Sequence, residues 1–136
     1  MLKTICYISD SRINNSINDF NNLILTAKSN NAKNNITGIL VYKNNNFLQV
    51  FEGNHQTVDA IFSKIQMDDR HRNIFKIIDT TIEERIFEEY NFGFTVVSDN
   101  CALKNLSDYL TWLRNADNMI ANEIATMVEN FINQKF

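Results

Sequence analysis

Tyr7, inside the stretch TICYIS, and Gln49, inside NFLQVFEG, are polar side chains set in apolar runs. Strand side chains alternate between faces, so Tyr7 shares a face with Ile5 and Ser9. Gln49 likewise shares a face with Phe47 and Phe51, while Leu48 and Val50 point the other way. Both faces of that second stretch are apolar, and a buried amide without partners costs roughly 1–3 kcal/mol. The Asn30–Asn31 pair adds two more carboxamides where the first helical pattern closes. A phenol and neutral amides supply donors and acceptors without charge. That chemistry suits a flat heteroaromatic ligand with carbonyls and ring N–H groups, held between two helices packed on a sheet. Each residue also has an ordinary role available: a core tyrosine with a satisfied hydroxyl, an amide met by neighbouring backbone, a helix end. Only the combination points to a ligand.

Other chemistries are poorly served. The two histidines, His55 and His71, lie in no recognisable arrangement with a Ser or Cys nucleophile. Asp68, Asp69 and His71 read as a solvated helix end, so no metal is expected. Gly38, Gly53 and Gly93 are isolated and make no phosphate-binding loop. Cys6 and Cys101 lack zinc or redox spacing. No enzymatic activity is expected.

With 136 residues, 44% of them hydrophobic, the chain is expected to fold as one domain without a metal or disulfide staple. The net charge of −3 and the lack of a basic run argue against nucleic acid as a partner. The N-terminus, MLKTICYISDSR, lacks the features of a signal peptide. No apolar run approaches the ~20 residues that span a bilayer, so no membrane association is expected. These features imply a cytoplasmic protein with reduced thiols. The many asparagines reflect compositional bias more than function.

The elements that position Tyr7 and Gln49 follow from periodicity. Leu2 to Ser9 alternates as a strand. Ser16 offers an N-cap, and apolar residues at 17, 20, 23, 24 and 27 give a helix to about Ser29. Asn30 to Asn35 is a polar loop. Ile36–Tyr42 and Phe47–Phe51 are strands joined by a Lys43–Asn46 hairpin turn. Asn54 or His55 opens a second helix with Val58, Ile61, Phe62 and Ile65 on one face. Phe75–Ile82 and Tyr90–Val97 are further strands, separated by a charged segment, Glu83 to Glu89. The fold class is therefore α+β, a ferredoxin-like βαββαβ sheet with an extra strand. Two C-terminal helices follow. The first has a stripe of Leu103, Leu106, Leu110 and Leu113; the second, capped by Asp117 or Asn118, has one of Ile120, Ile124, Met127, Val128 and Phe131. Such stripes pack on the open sheet face, on each other, or on a second subunit. Completion of the chain's own core is the preferred expectation, and the stripes also make a homo-oligomer plausible.

Four motifs in order carry a family resemblance: CYIS around Tyr7, NNAKNNITGIL from Asn30 to Leu40, NFLQVFEG, and IQMDDRHRNI from Ile65 to Ile74. From about Leu2 to Val97 the sequence resembles the BLUF domains, blue-light sensors that bind FAD, and specifically the short stand-alone members. The resemblance implies residues 1–97 as the flavin-binding domain and residues 98–136 as a two-helix cap. FMN is not distinguished from FAD. By that resemblance, Tyr7 is the photoactive tyrosine, giving an electron and proton to excited flavin. Gln49 is the amide between that tyrosine and the flavin N5/O4 edge, whose rearrangement shifts absorption to the red. Asn31, with Asn30 beside it, holds the O4/N3 side. Leu23, Ile24 and Ala27 form a helical wall against the ring, and Lys64, Asp68, Arg70 and His71 lie near the pyrimidine end. The family often carries Trp and, two residues later, Met in its fifth strand. Here Tyr90 and Phe92 occupy those signal-relay positions, and Phe is stiffer than Met. Tyr90 is either a competing electron donor or a packing residue. The output is expected to pass to a downstream partner protein that the sequence does not identify. The alternatives are a light-insensitive flavin-binding protein or flavin reductase, and a ligand-free ferredoxin-like interaction module.

Overall fold

The fold was taken from a computed structural model, which describes residues 1–11, 17–69, 71–88, 90, 94–116 and 118–133. In chain order the elements are β1 (Leu2–Ser11), α1 (Ile17–Lys33), β2 (Thr37–Lys43), β3 (Asn46–Asn54), α2 (His55–Met67), β4 (His71–Ile82), β5 (Phe94–Val97), α3 (Asn100–Arg114) and α4 (Met119–Asn133). The strands form one sheet in the order β4-β1-β3-β2-β5. β1 is antiparallel to β3 and β4, β2 is antiparallel to β3, and β5 is parallel to β2. The first four strands have the ferredoxin-like arrangement that the sequence predicts, and β5 is the extra strand.

Alternation sorts the sheet's side chains into two layers. Ile5, Tyr7 and Phe51 pack with Val58 and Phe62 of α2, and Leu40 and Phe47 with Leu23 of α1. Cys6, Ile39, Val41, Leu48 and Val50 face the other way, where Leu106, Leu110, Leu113, Ile124, Val128 and Phe131 of α3 and α4 cover them. The C-terminal stripes are thus buried within the chain, which removes the ground on which an oligomer was expected. Asp99 caps α3 by accepting from the Ala102 N–H, and Asn118 caps α4 by accepting from the Ala121 N–H. Asp117 and Ser16, also predicted as caps, lie outside the described residues.

The β2–β3 hairpin closes on Asn44 and Asn45, both at positive φ, as a tight two-residue turn demands. Gly38, at φ +147°, is required by contact: an added Cβ would lie 2.0 Å from the Val50 carbonyl oxygen.

Three predicted boundaries move. α1 runs to Lys33, not Ser29, because a Schellman turn finishes it. The Ile36 N–H donates to the Asn31 carbonyl and the Asn35 N–H to that of Ala32, with Asn35 at φ 55°. Asn30 and Asn31 are therefore helical and not part of a loop. β4 begins at His71, four residues before the predicted Phe75. Its first residues lack strand alternation but pair with the end of β1, Asp10 opposite Arg72 and Ser11 opposite His71. The described part of the fifth strand starts at Phe94, and Tyr90, predicted to open it, sits in a bend.

Candidate functional site

The β1–β3 register places Tyr7 directly opposite Gln49. Both side chains point to the α1/α2 layer, and both are buried, at 1% and 5% exposure. The Tyr7 hydroxyl donates to Gln49 Oε1 at 2.5 Å. The Phe62 ring, 5.7 Å away between centroids, and the edge-on Phe51 ring hold the phenol. Burial pushes the Tyr7 phenol well above its ordinary range, and the nearby Asp68 charge pushes the same way. The phenol therefore stays protonated and acts as the donor, which commits the carbonyl end of Gln49 to Tyr7. The amide nitrogen of Gln49 is left with no protein partner among the described residues.

Gln49 lines an open-mouthed cleft whose cavity volume is about 140 Å³. Tyr7, Gln49, Leu40 and Phe47 form the sheet floor; Leu23, Ala27, Asn30 and Asn31 line the α1 side; Ile61, Lys64 and Ile65 line the α2 side, with Asp68 just beyond that helix. Asn31 is 3% exposed, and no protein group among the described residues bonds its side-chain amide. The Schellman turn holds that amide in the cleft, since Asn31 supplies the carbonyl that the turn engages. Both amides border the cleft, so a ligand there that offers both a donor and an acceptor would pair with them.

Most predicted site residues meet in this cleft: Tyr7, Gln49, Leu23, Ala27, Asn30, Asn31, Lys64 and Asp68. Ile24 does not line it; a helix turns about 100° per residue, and Ile24 is half-buried beside the Leu23 wall. Arg70, Phe92 and the side chain of His71 lie outside the described residues. Tyr90 belongs to the opposite layer, where its ring packs on Tyr109 of α3 with centroids 4.7 Å apart. Leu40, Phe47, Ile61 and Ile65, and the polar Thr26 and Asn34, also line the cleft and were not among the predicted site residues. Alternation from Gln49 could have found Phe47, and helical spacing back from Lys64 and Asp68 could have found Ile61 and Ile65.

A family model described as "Sensors of blue-light using FAD" matches residues 2–93. Among curated relatives, the photoactivated adenylate cyclase subunit beta of Euglena longa is 34% identical over 86 residues, which cover 63% of this chain but only 10% of the cyclase subunit. The solved structure of BlrP1 BLUF superposes with a TM-score of 0.77 at 26% identity, covering 98% of this chain and 90% of that one. BlsA in its photo-activated state superposes with a TM-score of 0.70 at 26% identity, covering 100% and 99%. With its sheet order, its cleft and this match over residues 2–93, the chain belongs to the BLUF family, the flavin-using sensors of blue light.

Proposed function

We propose that this chain binds FAD in the α1/α2 cleft and senses blue light through the Tyr7–Gln49 pair. The observation that carries the reading is the 2.5 Å hydrogen bond from the Tyr7 hydroxyl to Gln49 Oε1, on the floor of a cleft that also holds the unmet Asn31 amide. The donor set fits a flavin. Gln49 Nε2 would donate to an acceptor on the ring edge, Asn31 would offer it a donor and an acceptor, and Leu23 and Ala27 would give a flat apolar wall.

A bound flavin supplies the blue absorption and, once excited, a demand for one electron. Tyr7 is the donor. Loss of an electron makes a phenol strongly acidic, so the Tyr7 proton moves along the existing bond to Gln49 Oε1. Gln49, now protonated on Oε1, rotates or releases an Nε2 proton on its cleft side to become the imidic-acid tautomer. Once Tyr7 has recovered one proton and its electron, Gln49 would retain altered contacts, and a stronger hydrogen bond from it to a flavin carbonyl would account for a red shift. Residues 1–97 hold the flavin in this reading, and residues 98–136 carry the change to a partner protein.

The test is the absorption spectrum of purified yellow protein before and after blue light. A reversible red shift is expected in the wild type, with flavin retained but the shift absent in Gln49→Leu and the normal photocycle lost in Tyr7→Phe. An unaltered shift in Gln49→Leu refutes the switch. Yellow protein with no reversible change indicates a light-insensitive flavoprotein, and colourless protein from a flavin-replete host a ligand-free module.

A further inference from the structure

Gln49 occupies one face of β3, and three residues on, Glu52 occupies the other. Glu52 is a carboxylate with no exposed surface, paired opposite Thr4 of β1 and Thr37 of β2. It is met by a segment 34 residues further along the chain. The Ile86 N–H donates to both carboxylate oxygens, at 3.0 and 2.6 Å, and the Phe87 N–H donates to Oε1 at 2.9 Å. Arg85 completes the attachment, donating to Thr37 Oγ1 at 3.0 Å and to the Glu52 backbone carbonyl at 3.3 Å. Residues 85–87 belong to no strand, so side chains and not a backbone ladder fasten them to the sheet.

The same segment is tied onward to α3. The Tyr109 hydroxyl donates to the Ile86 carbonyl at 2.7 Å. The Tyr109 ring packs on Phe87, Tyr90 and Trp112. A single peptide unit region, Ile86–Phe87, is thus held by β3 on its N–H side and by α3 on its carbonyl side. The site is shaped for a carboxylate. A carboxamide in the same place would set its NH2 group against an N–H that now contacts both oxygens.

We propose that Glu52 is a positioning residue that couples the Gln49-bearing strand to α3. Its carboxylate carries a displacement of β3 to the Ile86–Phe87 backbone, and the Ile86 carbonyl carries it to Tyr109. This coupling rests on the blue-light reading above, and it assigns a route through the Ile86–Phe87 backbone to Tyr109.

Hydrogen exchange read by mass spectrometry on the full flavin-loaded chain, in darkness and under blue light near pH 8, tests the coupling. In the wild type, light changes exchange in residues 83–90 and in α3. Glu52→Gln is expected to keep the flavin red shift, since Tyr7 and Gln49 are untouched. It should also speed dark exchange at Ile86 and Phe87 roughly tenfold, the cost of a lost bond to a charged acceptor, and abolish the light response of α3. Tyr109→Phe should keep the response at residues 86–87 and lose it in α3. An α3 response of wild-type size in Glu52→Gln overturns the coupling, as does a wild-type α3 that ignores light while the flavin shifts. Should Glu52→Gln fail to fold, a full α3 response in Tyr109→Phe overturns it equally. A merely structural Glu52 would alter dark exchange and leave the light response of α3 in place. A wild type with no red shift removes the blue-light reading, and the coupling falls with it.

Discussion

Glu52 makes stability depend on pH in a way that one substitution isolates. Burial pushes its carboxyl up to about 7 from an ordinary 4.5, against the opposing pull of the Phe87 and Ile86 N–H groups, the Arg85 charge and the Thr37 hydroxyl. Arg85 is the cation facing it, while Glu83, Glu84 and Glu88 on the same segment are exposed to solvent. A carboxyl that binds its proton more tightly folded than unfolded stabilises the fold at low pH. That contribution is complete below 4.5 and is lost as pH rises through about 7. At about 1.4 kcal/mol per pKa unit, the gap amounts to about 3 kcal/mol. Glu52→Gln has no proton to release, so this pH dependence disappears in the variant. The assay is urea unfolding in the dark at fixed saturating flavin, at about pH 5 and about pH 8, for both proteins. Other ionisable groups cancel in the difference between them. Asp79, held below its usual value by Lys3 and Lys76 despite partial burial, loses its contribution only in more acidic solution. Wild type is expected to lose about 2.5 kcal/mol more than the variant on going from about pH 5 to about pH 8, because part of the gap is already lost at about pH 5. Equal losses in the two proteins would refute the reasoning, because they would mean that the buried carboxyl titrates as if it were in water.

Asn31→Ala should weaken flavin binding on the order of tenfold while leaving the fold intact, as removal of one buried hydrogen-bonding amide predicts; a fluorescence titration giving an unchanged Kd would move the ligand edge away from α1. Gly38→Ala should cost at least about 3 kcal/mol, since its methyl group would meet the Val50 carbonyl oxygen at 2.0 Å and the backbone sits at φ +147°. A urea midpoint near wild type would contradict it. Asp99→Ala removes the 2.7 Å cap bond to the Ala102 N–H and should cost about 1 kcal/mol without altering the flavin spectrum. Thermal melts and dark spectra check both halves of that statement.

Much of this molecule was legible in one dimension because its signals are local. Alternation in TICYIS and NFLQVFEG assigns Tyr7 and Gln49 to particular faces of their strands, and helical spacing marks the stripes of α2, α3 and α4 as buried. Motif order carried the family, which depends on residues that keep the same spacing. Local signals failed where asparagine was used structurally. Asn30 and Asn31 have loop-like composition, yet a Schellman turn around Asn35 keeps them helical. The start of β4 escaped because it is defined by pairing with β1 and not by its own pattern.

Pairing and coverage belong to the tertiary structure alone. That Tyr7 and Gln49 stand opposite one another, 42 residues apart in the chain, follows from the β1–β3 register. Glu52 is the sharpest case. Glu52 lies one residue past the predicted strand Phe47–Phe51, and Glu83 to Glu89 reads as a charged connection. Burial arises only when Ile86 and Phe87 of that connection fold over the strand and turn their N–H groups onto the carboxylate. The sequence determined which side chains could pair, because periodicity is a property of neighbours along the chain. The fold decided which of them are desolvated, because desolvation depends on whatever the distant chain lays on top.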